Sequence, residues 1–168
     1  MTVQLRIGRK LLEAVHADLS RPHAHAAERV TFLSCRPSEI AAAGLLLIGV
    51  GVHPVAEEDY ERDLTVGAML GPGAFRQILQ FAYNTSVTVF HVHRHEHHGR
   101  PWFSNFDLEE AKKYMPDFSK VRPGFPHGII VLSHDSAAGL VWLPPSGVVR
   151  LSRITITGYP MQEIWNES

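Results

Sequence analysis

The chain has 168 residues, of which 45% are hydrophobic and 20% are charged, a composition typical of a globular protein and contrary to global disorder. The formal net charge of −1 provides no electrostatic footprint for nucleic acid or for an anionic membrane surface, so neither is expected as a partner. The length suits one folded unit, and no repeat or linker divides the sequence. We therefore predict a single domain over residues 1–168.

Histidine and cysteine are used very differently in this chain. Five of the 11 histidines fall between His91 and His98, whereas Cys35 is the single cysteine. One cysteine excludes an internal disulfide and any zinc site made of several cysteines, and a reduced cytoplasmic location is expected. No secretory signal is predicted. The longest apolar run, residues 40–52, is shorter than the roughly 20 residues of a membrane span and predicts a buried strand.

The first half of the chain predicts alternating strands and helices. A strand is expected over residues 3–7, followed by a helix over residues 8–19, where apolar residues recur at helical spacing. Two segments rich in β-formers, 28–35 and 43–52, predict the next strands. The acidic segment 54–63 is expected to be a solvated loop.

The second half begins with a helix and ends in strands. A helix is predicted over residues 72–83, because Pro72 suits a first helical turn and an apolar stripe follows it. A strand over 86–93 and a helix over 105–115 come next. Two or three terminal strands are predicted over 128–133, 139–143 and 148–156. This order predicts an α/β fold with a mixed central β-sheet flanked by helices.

His91 and His93 stand two residues apart near the end of the predicted strand 86–93. Side chains two apart on a strand point to the same face, so both imidazoles would lie side by side. The preceding apolar residues would anchor this strand in the core. A rigid strand end facing solvent is a suitable position for a pair of metal ligands.

Asp107 is the candidate third ligand, at the beginning of the predicted helix 105–115. Two histidines and one carboxylate form a hydrolytic zinc set that leaves a fourth position to water. Zinc lowers the pKa of such a water to about 7, which supplies a nucleophile at neutral pH. The spacing Ser104-x-x-Asp107 is also typical of a helix N-cap with its capping partner, and the two interpretations are compatible.

A hydrolytic site also needs a proton acceptor and a group that stabilises the developing oxyanion. Glu28 is the candidate for the first role, because it lies at the start of a predicted apolar strand. Ser104 is the candidate for the second role. Either assignment alone is weak, and their combination with the histidine pair strengthens both.

The succession of Glu28, His91-x-His93 and Ser104-x-x-Asp107 resembles the signature of the JAMM metallopeptidases, also called MPN+ or JAB. The resemblance covers roughly residues 5–143. It implies a mixed β-sheet sandwiched by helices, similar to the cytidine deaminase architecture. It also implies that the two histidines and the aspartate bind zinc. Glu28 would then shuttle a proton to the leaving amine, and Ser104 would stabilise the tetrahedral intermediate.

The same resemblance implies hydrolysis after the C-terminal glycine of ubiquitin or a ubiquitin-like protein, in deconjugation or precursor maturation. The long loop after His93 and its Gly99-x-Pro101 resemble the prokaryotic JAB branch. Members of that branch often accompany activating and conjugating enzymes, and several such systems act in antiviral defence. Segments 56–63 and 116–126 are expected to grip an extended substrate tail by β-augmentation.

Several alternatives stay open. Arg94 stands where the family has proline, and His95, His97 and His98 fill the longer loop. These three histidines face solvent or substrate, or one of them competes for the metal or binds a second ion. A non-catalytic MPN scaffold is the alternative function, although such relatives usually lack metal residues. A RadC-like protein is the other alternative, and the absence of His-Glu-x-x-His excludes a zincin.

Overall fold

The computed structural model describes residues 1–22, 24, 26–40, 44–63, 65 and 67–166. These residues form a mixed α/β structure in which a large curled central β-sheet is flanked by helices. The predicted sheet and its flanking helices are therefore confirmed. No helix in the described ranges is long and apolar enough to cross a membrane.

The predicted elements occur in the predicted order, together with strands that were not predicted. The strands are β1 (Thr2–Gly8), β2 (Val30–Ile40), β3 (Gly44–Pro54), β4 (Tyr60–Glu61), β5 (Met69–Leu70), β6 (Thr88–Arg94), β7 (His127–Leu132), β8 (Ala137–Leu143), β9 (Gly147–Arg150), β10 (Arg153–Thr157) and β11 (Gln162–Asn166). The α-helices are α1 (Arg9–Leu19), α2 (Pro72–Thr85) and α3 (Asn105–Val121), and a short 3-10 helix spans Glu57–Asp59.

The central sheet has nine strands in the order β11-β10-β1-β3-β2-β6-β7-β8-β9. Strand β1 runs parallel to β3 and β10, and β6 runs parallel to β7. The other neighbours are antiparallel. Strands β4 and β5 form a separate two-stranded hairpin beside this sheet.

The sheet curls where β9 passes to β10. The Leu151 N–H donates to the Gly139 carbonyl at 2.9 Å, and the next residue, Ser152, donates its N–H to the Val3 carbonyl at 2.8 Å. Consecutive residues thus bond to distant parts of the sheet, and Leu151 is fully buried between them. The single strand predicted over 148–156 is wrong, because its hydrogen bonds change partner at this point.

The two faces of the sheet carry separate hydrophobic clusters. Helix α1 packs on one face, where Val15 joins a cluster that includes Phe90 and Val92 of β6. Helices α2 and α3 pack on the other face, against a cluster that includes Val89. Because strand side chains alternate, His91 and its neighbours at odd positions lie on the α2 and α3 face.

Helix α3 is longer than the sequence predicts. It continues through Pro116 to Val121, whereas the prediction ended it at residue 115. An interior proline costs about 3 kcal/mol in helix propensity. The buried side chains of Met115 and Phe118 on either side of it hold the helix in place. Much of segment 116–126, expected to be a loop, is therefore helical.

The acidic segment 54–63 is not the solvated loop that was predicted. It contains the short 3-10 helix and β4, which pairs with β5 through Tyr60 and Leu70. Tyr60 is buried, and its hydroxyl accepts from the Val30 N–H at 2.9 Å and donates to the Val30 carbonyl at 3.0 Å. This pair of bonds ties the segment to the start of β2.

Other element boundaries shift by a few residues. Strand β2 begins at Val30, so Glu28 precedes the strand instead of opening it. Strand β6 begins at Thr88, because Ser86 has a left-handed backbone with φ of 54° and ends α2. Strand β11 was not predicted. Residue 43, the predicted start of β3, lies outside the described residues.

His127 is a buried histidine at the start of β7, with 1% of its surface exposed. Its Nδ1 accepts a hydrogen bond from the Val89 N–H at 3.1 Å, and its ring packs 5.0 Å from that of Phe118. Burial lowers its pKa from 6.5 to about 4. The imidazole is therefore neutral in the folded protein at ordinary pH.

Substitution His127→Gln should reduce the loss of stability at acidic pH. The unfolded chain takes up the His127 proton near pH 6.5, whereas the folded chain takes it up near pH 4. Between these values, stability falls as the pH falls, by about 1.4 kcal/mol per pH unit for this group. Denaturant unfolding at several pH values should show a shallower decline for His127→Gln. The control is His98→Gln at an exposed histidine, and equal slopes in all three proteins would contradict the expectation.

Candidate metal centre

The pairing of β2 with β6 brings Glu28 to the histidine pair. The two strands run antiparallel, with Val30 opposite His93. Glu28 lies two residues before Val30, so it lies just beyond the end of β6 that bears His91 and His93. Two segments far apart in sequence thus meet at one end of the sheet.

The N-terminus of α3 supplies the remaining two predicted residues. Ser104 is the N-cap, and its hydroxyl oxygen accepts from the Asp107 N–H at 3.1 Å. Asp107 Oδ2 accepts from the Ser104 N–H at 2.7 Å and from the Ser104 hydroxyl at 2.8 Å. The predicted capping pair is confirmed. The other carboxylate oxygen, Oδ1, lies 3.4 Å from His93 Nε2.

All five predicted residues line one cavity of about 390 Å³. They are Glu28, His91, His93, Ser104 and Asp107. Clefts of roughly 300–1,000 Å³ are typical of small-ligand sites. The structure therefore brings the whole sequence-predicted set together, from three separate segments of the chain.

His93 is buried, with 4% of its surface exposed, and neither ring nitrogen makes a well-formed hydrogen bond within the described part of the chain, although Nε2 lies 3.4 Å from Asp107 Oδ1. Leaving such a group unpaired costs about 1–3 kcal/mol. A cation bound between this imidazole and the Asp107 carboxylate would provide a partner for the His93 ring nitrogen that carries the lone pair. The residues present therefore fit a metal ion.

One group of three converging donor atoms differs from the predicted ligand set. Among the described residues, one carboxylate oxygen of Glu28 and one ring nitrogen each of His93 and His95 lie within 4.8 Å of one another. The donor atoms of His91 and Asp107 fall outside this group. Nitrogen and carboxylate donors of this kind suit Zn²⁺ and other divalent transition metals.

The electrostatic environment favours the ionised form of Asp107. Burial acts to raise its pKa, but the His93 imidazole close to Oδ1 and the hydrogen bonds from Ser104 outweigh burial and hold the pKa well below its usual range. Asp107 therefore presents a permanent negative charge to the cavity. Such a charge at a helix N-terminus also interacts favourably with the helix dipole.

The pKa of Glu28 is shifted in the opposite direction. Burial raises the pKa of its carboxyl, and the negative charges of Asp107 and Glu96 raise it further, while His93 acts in the lowering direction. A raised pKa brings a carboxylate closer to the range in which it accepts and returns protons near neutral pH. Its environment therefore differs from that of an ordinary surface glutamate.

His91 is held in position by aromatic rings, and its imidazole is neutral. Its ring lies 5.5 Å from the Tyr114 ring in a stacked arrangement and 5.7 Å from the Phe32 ring, edge on. Burial and the neighbouring His93 lower its pKa to about 3. Neutral imidazole is the form that binds metal ions.

Gly67, which lies just before β5, closely approaches Glu28. The Glu28 N–H donates to the Gly67 carbonyl at 2.8 Å. A Cβ atom at position 67 would lie 2.6 Å from Glu28 Oε2. Glycine at this position therefore gives the carboxylate the room that it occupies.

The loop after β6 adds residues that sequence reasoning left unassigned. His95 lines the cavity, and its position follows from the same alternation that pairs His91 with His93. Trp102 is 64% exposed, and its ring stacks 5.1 Å from that of His97. Trp102 is thus a surface residue beside the histidines and no part of the core.

No protein-family model matches the chain, and no curated protein matches it. The functional interpretation therefore rests on the residues of the cavity and their geometry.

Substitution Ser104→Ala should lower the free energy of unfolding by about 1 kcal/mol, the usual cost of losing an N-cap hydroxyl. It should also weaken metal binding, because Asp107 loses the hydroxyl that orients its carboxylate. Denaturant unfolding and zinc titration against a chromophoric chelator would measure the two effects. Ser104→Thr, which keeps a capping hydroxyl, is the matched control. Unchanged metal affinity in Ser104→Ala would contradict the orienting role.

Proposed function

We propose that this chain is a zinc-dependent metallopeptidase of the JAB/MPN type that hydrolyses the bond after the C-terminal glycine of a ubiquitin-like protein. The observation that supports this most strongly is the single cavity lined by Glu28, His91, His93, Ser104 and Asp107. The five residues come from three segments, and each carries the functional group that its proposed role requires.

The architecture supports the JAB/MPN assignment. The curled mixed sheet has α1 on one face and α2 with α3 on the other, in agreement with a sheet sandwiched by helices. Strand β6 ends at the cavity with the histidine pair, and α3 begins there with the capping pair. This agrees with the context that the family resemblance implies.

His91, His93 and Asp107 are the residues that would hold the zinc ion. When bound, zinc would supply a Lewis acid that activates water at neutral pH. The neutral His91 ring and the ionised Asp107 carboxylate are already in the protonation states that ligation requires. His93, whose buried nitrogens make no hydrogen bond among the described residues, would gain a partner by binding the ion.

Glu28 would accept the proton of the attacking water and return it to the leaving amine. Because its pKa is raised, the carboxylate is better suited both to accept this proton and to release it again. Ser104 would stabilise the developing oxyanion by donating its hydroxyl hydrogen. That hydrogen is directed to Asp107 in the resting structure, so it would turn toward the substrate during the reaction.

The walls of the cavity suit a narrow, extended substrate. Met69 and Leu70 of β5 and Phe106, which is 37% exposed, are among its apolar lining residues. A C-terminal tail with small residues would lie along them and pair with backbone groups, as in β-augmentation. The family resemblance assigns this tail to a ubiquitin-like protein or its conjugate. Partner enzymes of the same conjugation system, including those of antiviral defence, would act beside it.

Two substitutions separate metal binding from turnover. Glu28→Gln should keep about one zinc per chain and lose at least 100-fold in hydrolysis, because the proton acceptor is gone. Asp107→Ala should lose both metal and activity. Elemental analysis of tag-free protein and cleavage of a ubiquitin derivative with a C-terminal fluorogenic amide would measure these outcomes. Because ubiquitin is a probe and not the assigned substrate, a set of other ubiquitin-like fusions would be assayed in parallel.

The matched control is Glu58→Gln, which changes an exposed acidic residue outside the cavity. Gly67→Ala gives a second approach to Glu28, because the added methyl group displaces the carboxylate and leaves the carboxyl group present. It should reduce turnover without loss of zinc. Full turnover in Glu28→Gln, or absence of metal in the zinc-supplied wild-type protein, would contradict the proposed function.

A further inference from the structure

His95 continues the alternation of histidines beyond the end of β6. Its N–H donates to the Leu132 carbonyl at 2.9 Å, which extends the pairing with β7 by one residue past Arg94. A residue two positions after His93 on an extended chain lies on the same face. The backbone thus directs a third imidazole, after His91 and His93, toward the cavity.

Arg94 and Glu96 hold this backbone from the opposite side. The Arg94 guanidinium donates to one Glu96 carboxylate oxygen at 2.9 and 2.7 Å and to the Ser20 hydroxyl at 3.0 Å. These contacts fix the chain on both sides of His95. A proline at position 94 could make none of them.

The His95 imidazole is available to a ligand. Its ring lies 5.1 Å from that of His93 and 6.1 Å from that of Trp102, and no hydrogen bond to the ring occurs within the described ranges of the chain. One of its nitrogens lies within 4.8 Å of both a Glu28 oxygen and a His93 nitrogen. This nitrogen therefore faces the space between the proposed proton acceptor and a proposed metal ligand.

We propose that His95 is a fourth protein ligand of the metal in the substrate-free protein. This inference rests on the proposed function and concerns the regulation of the same site. Zinc sites with four protein ligands are closed, whereas catalytic sites keep one position open. His95 would occupy that position in the substrate-free protein and would leave it when substrate binds, so that the position becomes open to the nucleophilic water.

His97 provides the matched control in the same loop. Its Nδ1 lies 2.9 Å from the His98 carbonyl oxygen, and its ring stacks on Trp102. It does not belong to the group of converging donor atoms. His97→Ala removes an imidazole of the same kind from the same loop without removing a proposed ligand.

The test compares tag-free wild-type, His95→Ala and His97→Ala proteins. Zinc affinity is measured by competition with a chromophoric chelator, and coordination is measured by the visible absorption of the Co²⁺-substituted proteins. His95→Ala should still bind one zinc, at least about tenfold more weakly, with a changed Co²⁺ spectrum, and its turnover at saturating zinc should exceed that of the wild type. His97→Ala should match the wild type in affinity and spectrum.

Two results would overturn the inference and leave the proposed function intact. One is an unchanged zinc affinity and Co²⁺ spectrum in His95→Ala, with normal hydrolysis. The other is lost hydrolysis with unchanged metal binding, which would assign His95 to substrate contact or proton transfer. A wild-type protein that binds no zinc would instead overturn both proposals.

Discussion

The antiparallel pairing of β2 with β6 is the constraint on which the site depends. Its register places Val30 opposite His93, and therefore places Glu28 beside the end of the histidine-bearing strand. A slip of one residue would turn every β6 side chain to the other face of the sheet. The buried residues on both faces of β6 make such a slip costly, so the core that stabilises the fold also fixes the site.

The capping box of α3 is the second fixed point. It uses one oxygen of Asp107 to complete the helix N-terminus and leaves the other directed toward His93. The same side chain thus serves the stability of α3 and the electrostatics of the cavity. His93, in contrast, lowers the stability of the fold, because its buried ring nitrogens make no hydrogen bond among the described residues unless an ion binds to one of them. Buried polar groups that lack hydrogen bonds in this way are concentrated at functional sites.

Local sequence patterns predicted the parts of the fold that local interactions determine. The capping spacing of Ser104 and Asp107 identified the start of α3, and residue alternation identified the face shared by His91 and His93. The break at Leu151 could not be predicted, because it depends on hydrogen bonds to Gly139 and Val3 far along the chain. The extension of α3 likewise depends on the burial of its apolar side chains, which overrides the local effect of a proline.

The candidate site shows the same division between local and distant causes. Its five residues could be chosen from type, spacing and family resemblance. The convergence of His95 with Glu28 and His93 required the structure, because it depends on a backbone bond to Leu132 that continues the strand. The histidine-rich loop was visible in the sequence, but only the three-dimensional arrangement distinguishes His95 from His97.

We expect a metal ion at the end of β6, between the imidazoles and the Asp107 carboxylate. Anomalous diffraction at the zinc absorption edge, from crystals of the tag-free protein supplied with zinc, tests it most directly. We expect one strong peak within bonding distance of His93 and Asp107. A cavity without a peak, or a peak confined to the exposed histidines around His98, would contradict it.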